Sequence, residues 1–135
     1  MSHLLDTNSF IDHLRQGPAS NVTGRLVAAP PGSVYLCSVV LGELFYGAFH
    51  SGAAHQAGNL ALIAKIRQQF ASLPFDDRAA EEYGKVRAHL AALGSPIGPN
   101  DVMIASIALA NQVTLVTHNT TEFSRVPGLL LEGWQ

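Results

Sequence analysis

Four carboxylates stand where an apolar stretch of the chain gives way to a polar one: Asp6 in LLDTN, Glu43 in LGEL, Asp101 in PND and Glu122 in NTTEF. Gathered at one place, such groups repel one another and call for a cation, and their hard oxygens suit Mg²⁺ or Mn²⁺ better than zinc. An ion held this way lowers the pKa of bound water and polarises a phosphoryl oxygen, the two things that phosphodiester hydrolysis needs. Each acid also has an ordinary role open to it. Asp6 can cap a helix, a job that Thr7 or Asn8 could share. Asp101 sits in a first helical turn, where the macrodipole favours negative charge, and Glu122 fits a solvated turn. Glu43 is harder to place: Val39, Val40, Leu41, Leu44 and Phe45 surround it in a segment with no other charge. If buried it needs a partner or a metal; otherwise it occupies the narrow solvent edge of its helix.

The elements that would position these residues alternate in type. His3–Leu5 reads as a strand, and the spacing of Phe10, Ile11 and Leu14 fits the helix face that follows. Gly17-Pro18 breaks that helix, a second one is expected over Ala19–Ala28, and Pro30-Pro31-Gly32 turns the chain. Val34–Cys37 reads as a buried strand, with Ser38 as cap of a helix whose inner side is Leu41, Leu44, Phe45 and Ala48. Over Asn59–Leu73, Ile63, Ile66, Phe70 and Leu73 form an apolar stripe opposite Lys65, Arg67 and Gln68. An extended piece at Leu73–Phe75 precedes a helix from Asp77, with Tyr83, Val86 and Leu90 inward and Glu81 placed to pair with Lys85. After the loop Gly94–Pro99, Asn100 is expected to cap a nearly all-apolar helix, Val102–Ala110. Val113–Val116 and Leu129–Leu131 read as the last strands.

This alternation indicates an α/β fold: a parallel sheet covered by helices on both faces. In such sheets ligands bind beyond the carboxyl ends of the strands, where Asp6 and the segment Thr117–Glu122 would lie.

Length and composition restrict the rest. The 135 residues, 47% of them hydrophobic, fit one domain spanning 1–135. A formal charge of −2 gives no strongly basic field, so a polyanionic substrate would need local cations or bound metal. The single cysteine, Cys37, lies in an apolar run and cannot form an intrachain disulfide, which favours a reducing compartment. No stretch reaches the roughly 20 apolar residues of a membrane span, and the first residues lack the pattern of a secretory signal; a soluble, cytoplasmic protein is expected. The histidines show no metal-protease spacing and read mostly as surface residues, no P-loop or nucleophile elbow is present, and Phe45 and Tyr46 read as core.

Taken together, the stretches LLDTN, SVVLGELFYG, GSPIGPNDVMIASIALA and LVTHNTTEFSRVPGLLLEGW resemble, in order and over essentially the whole chain, the PIN-domain ribonucleases, specifically VapC-type toxins of bacterial toxin-antitoxin pairs. The resemblance implies a three-layer α/β/α sandwich with strand order 3-2-1-4-5. It puts Asp6, Glu43 and Asp101 on the family's principal acids and Glu122 on its variable fourth, which in some members is an aspartate at the site of Asn119. Thr7, Ser38, Thr117 and Asn119 fall near the pocket as residues that orient carboxylates and water. The implied activity is Mg²⁺- or Mn²⁺-dependent cleavage of single-stranded or loop RNA, tRNA being a frequent target, leaving 5′-phosphate and 3′-hydroxyl ends. A cognate antitoxin, whose tail lies across the acidic pocket, and a homodimer are the implied partners. Arg15, Lys85, Arg87 and Arg125 are available for contacts to the RNA backbone.

Two other readings compete. Haloacid-dehalogenase-like phosphatases also start from an aspartate after a first strand, but need a second aspartate two residues later, where this chain has Asn8. A catalytically silent PIN-like or receiver-like binding module would not require all four acids.

Overall fold

The computed structural model describes residues 1–135. Five short strands, β1 (His3–Leu5), β2 (Val34–Cys37), β3 (Ala71–Leu73), β4 (Thr114–Val116) and β5 (Leu131–Glu132), form one sheet in the order β3-β2-β1-β4-β5. Every neighbouring pair is parallel. Leu4, Leu5, Leu36, Leu115 and Val116 are fully buried, as expected of strands covered on both faces.

The connections are helical: α1 (Thr7–Gln16), α2 (Asn21–Ala28), α3 (Ser38–His50), α4 (Ala53–Gln69), α5 (Asp77–Leu93), α6 (Pro99–Asn111) and the single turn α7 (Thr120–Phe123). The most deeply buried is α6, with Val102, Ile104, Ala105, Ser106, Ile107, Ala108 and Ala110 all inside. Full burial of side chains such as Ile104 and Ile107 is worth about 2 kcal/mol each. The one polar group in that stripe is satisfied locally, since Ser106 Oγ donates to the Val102 carbonyl at 2.6 Å. The buried apolar residues make one contiguous cluster of 29, so a single core holds the whole chain. No helix is long and apolar enough to cross a membrane.

The structure departs from the sequence reading at several boundaries. Ser38 does not cap α3: its hydroxyl lies in the first turn and accepts the Phe75 N–H at 3.1 Å, tying the chain beyond β3 to this helix. Asn100 does not cap α6 either. Gly98 is the cap residue and Pro99 occupies the first helical turn, where its fixed φ is pre-organised and its missing N–H costs nothing. The amphipathic segment starts at Ala53 and ends at Gln69. Leu73 belongs to β3, where pairing with Cys37 across the register overrides its fit to the helical stripe. Gly17–Ala19 forms a 3₁₀ turn that delays α2 to Asn21, and β5 lies at Leu131–Glu132 rather than Leu129–Leu131. Lys85 pairs with Glu82 at 3.5 Å instead of Glu81. Tyr46 is not core: it is 68% exposed, while Phe45 packs against the core.

Candidate active site

Parallel strands joined by helices bring the chain back to the same edge of the sheet after each crossover. Asp6 immediately follows β1, its backbone N–H donating to the Val116 carbonyl at 3.0 Å. Glu43 lies one and a half turns into the helix leaving β2. Asp101 lies in the first turn of α6, which runs antiparallel to the strand it precedes and so starts at the carboxyl edge. Glu122 lies in α7, just beyond β4. The starts of α1, α3, α6 and α7 therefore all face this edge, and their partial positive charge offsets some of the acids' repulsion.

Asp6 is buried and does cap α1, with Oδ1 accepting the Ser9 N–H at 2.9 Å. That bond uses one carboxylate oxygen and leaves Oδ2 without an intramolecular partner. Thr7 Oγ1 donates to Glu43 Oε1 at 2.6 Å, so the half-buried Glu43 is held by the residue next to Asp6. Asn119 Nδ2 donates to Glu122 Oε2. Two other residues expected to orient the acids do not bond to them. Thr117 Oγ1 accepts the Asn119 N–H at 3.0 Å and shapes the turn, and Ser38 is occupied by Phe75.

Asp101 reports the shared electrostatics. Burial, then the negative charges of Glu122, Glu43 and Asp6 in that order, push its carboxyl up to about 6. Side chains from four separate segments thus act on one another, although nothing local in the sequence links them.

A hard divalent ion suits this oxygen-only donor set, because it would relieve the repulsion that Asp101 registers. No three His, Cys, Asp or Glu side chains stand close enough to form a ready-made metal cage.

Sequence reasoning missed α7, whose residues read as a solvated turn; the buried Phe123 in its last position was the available sign. It also gave no weight to Thr7 as the partner of one particular acid.

A parallel 3-2-1-4-5 sheet with acids gathered at its carboxyl edge is the architecture of a PIN-type α/β domain. The PIN domain family matches residues 3–129, and the chain belongs to that family. Relatives include a tRNA(fMet)-specific endonuclease VapC of Shigella flexneri, 40% identical over 134 residues, which cover 99% of this chain and 98% of the relative. Ribonuclease VapC2 of Rickettsia felis is 34% identical over 134 residues, with the same shares covered. Among solved structures, a chain of the DNA-bound VapBC of Salmonella typhimurium superposes with a TM-score of 0.92 at 35% identity, covering 100% of this chain and 99% of that one. A chain of the Rickettsia felis VapBC2 complex, bound to a DNA fragment from its promoter, gives 0.91 at 32% identity over 100% of both chains.

Proposed function

We propose that this protein is the toxin of a toxin-antitoxin pair: a Mg²⁺- or Mn²⁺-dependent endoribonuclease that cuts single-stranded or loop RNA, tRNA in particular, and is silenced by a cognate antitoxin. The observation that carries the reading is the placement of Asp6, Glu43, Asp101 and Glu122 from four separate segments at the carboxyl edge of one sheet, where Thr7 bonds Glu43 and where burial and the other acids push the Asp101 carboxyl up. Full-length relatives bearing ribonuclease and tRNA endonuclease names, and neighbours solved as VapBC complexes, support it.

Asp6 and Asp101 would be the principal ligands of the ion, Glu43 a ligand or proton acceptor, and Glu122 a ligand of a second or water-bridged ion. When bound, the ion supplies an acidified water and neutralises charge on the phosphate. Glu43 suits the proton-accepting role because the Thr7 hydroxyl fixes one of its oxygens and leaves the other free. An unpaired RNA backbone reaches such a compact site more readily than a duplex does. The cationic side chain of an antitoxin arm would complement the acids in the silenced state. Exposed Tyr46, Phe49 and Leu93 give apolar surface to a homodimer or an antitoxin. RNA as substrate makes the cytoplasm its place of action.

The test is cleavage of tRNA by purified protein with Mg²⁺, Mn²⁺ or EDTA, alongside Asp6→Asn, which keeps an oxygen to cap α1. The wild type should cut only with a divalent ion. Metal-independent cutting, or full activity in a clean Asp6→Asn preparation, would sink the reading.

A further inference from the structure

Beside the acids, α1 presents a second, differently built face. Asn8, Asp12 and Arg15 follow one another at helical spacing. With Gln16, Asn21 and His118 they line an open cavity of about 430 Å³, within the usual size range of small-ligand sites. The cavity adjoins the acidic site through shared walls: its Ile11 and Arg15 also line the neighbouring pocket that contains Glu43.

Its lining is polar and largely uncommitted. Arg15 is in neither of the ion pairs, which join His3 to Glu132 and Lys85 to Glu82. His118 Nδ1 is buried without a hydrogen-bond partner, so it is the other edge of the ring that can meet a ligand. Asp12 Oδ2 accepts the Ser20 hydroxyl at 2.8 Å, and its other oxygen remains an acceptor. The amides of Asn8, Gln16 and Asn21 carry both donors and acceptors.

One cation, one carboxylate and several amides do not suit a bare anion, because Asp12 offsets Arg15. They suit a ligand that joins a phosphate, set against Arg15, to a planar edge of mixed donors and acceptors, whose N–H groups can meet Asp12 and the amides. An unpaired nucleotide has that chemistry.

We propose that this cavity receives the nucleotide beside the scissile phosphate, with Arg15 on its phosphate and Asn8, Asn21 and His118 on the edge of its base. The assignment rests on the ribonuclease reading of the acidic site and adds to it a subsite that sets base preference next to the cut.

Cleavage kinetics, nucleotide titration and antitoxin binding test it. Arg15→Gln and Asn21→Ala, both at exposed positions, should raise KM for RNA about tenfold with kcat held within about twofold, the pattern of lost binding rather than lost chemistry. An abasic residue beside the cut should cost the wild type a similar factor and cost Asn21→Ala nothing further. Independently of cleavage, the four ribonucleoside 5′-monophosphates titrated into the protein in EDTA should shift the NMR signals of Asn8, Asn21 and His118 saturably. If the wild type cuts no RNA but these shifts appear, the ribonuclease reading fails while the cavity keeps its ligand class. Unchanged KM in both variants together with no shift from any nucleotide overturns the proposal. So does loss of antitoxin binding in the variants with RNA kinetics unaltered, which would mark the cavity as a peptide site.

Discussion

The Thr7 hydroxyl donates to Glu43 Oε1 across 2.6 Å, so the helix leaving the first strand fixes the acid carried by the helix leaving the second. Each of these residues lies on a separate crossover, and their bond makes the site a property of the sheet order. Thr7→Val keeps the shape of the side chain and deletes the donor. Partners that orient metal-binding carboxylates typically govern 10- to 100-fold in activity or metal affinity. We expect a kcat loss in about that range, a stability change within about 1 kcal/mol, and recovery in Thr7→Ser. Steady-state RNA cleavage by the two variants decides it; equal activity of Val and Ser would separate Thr7 from the chemistry.

Asp101 yields a prediction about pH. Its carboxyl titrates near 6 in the folded protein against an ordinary value of 3.8, with burial the first cause and the neighbouring acids the next. A raised carboxylate pKa means that the folded state takes up the proton first. This group therefore weakens the fold above about 6 and ceases to do so as pH falls towards 3.8. Asp101→Asn should be more stable than wild type at pH 7, by about 1 kcal/mol once its partial exposure is allowed for. The advantage should shrink on acidification. Urea titrations of both proteins between pH 7 and pH 4 measure it, and a constant difference across that window would contradict the shared electrostatics.

Much of this arrangement was legible in the sequence. The runs containing Leu4, Leu36 and Leu115 announce buried parallel strands, and the 3-2-1-4-5 order implied by the resemblance is the order found. Individual caps were not legible. Ser38 has the right chemistry for an N-cap, but a long-range bond to Phe75 takes its hydroxyl, and Pro99 starts its helix ahead of Asn100. Thr7 and Thr117 are both hydroxyls next to strand ends, and nothing in their spacing says that one reaches Glu43 while the other closes the turn at Asn119. Such choices depend on distances between segments far apart in the chain, which local pattern does not encode.

A metal ion held by these acids, as proposed, would relieve their repulsion and so act as a folding ligand. Any ion that binds only the folded protein stabilises it by mass action, by about 2.7 kcal/mol at a concentration of about 100 times Kd. Millimolar Mg²⁺ or Mn²⁺ should therefore raise Tm, EDTA should reverse the rise, and Asp6→Asn combined with Asp101→Asn should abolish it. Thermal unfolding followed by circular dichroism reads this without any RNA. A Tm indifferent to both ions would count against their being held by these carboxylates.

Cys37 closes β2 at the start of α3, a position where a helix terminus ordinarily makes a thiol more acidic. Here burial dominates: the thiol is pushed up to about 11, the backbone N–H groups of Val40 and Val39 draw it partly back, and the charge of Glu43 opposes ionisation further. At pH 8 the native protein should resist iodoacetamide, since almost no thiolate is present and the side chain is fully enclosed. Urea unfolding should release an ordinary thiol that titrates near 8.5 and reacts promptly. Mass spectrometry of timed labelling distinguishes the states. Native modification at the unfolded rate would mean that the end of β2 opens readily, and with it the platform that carries Glu43.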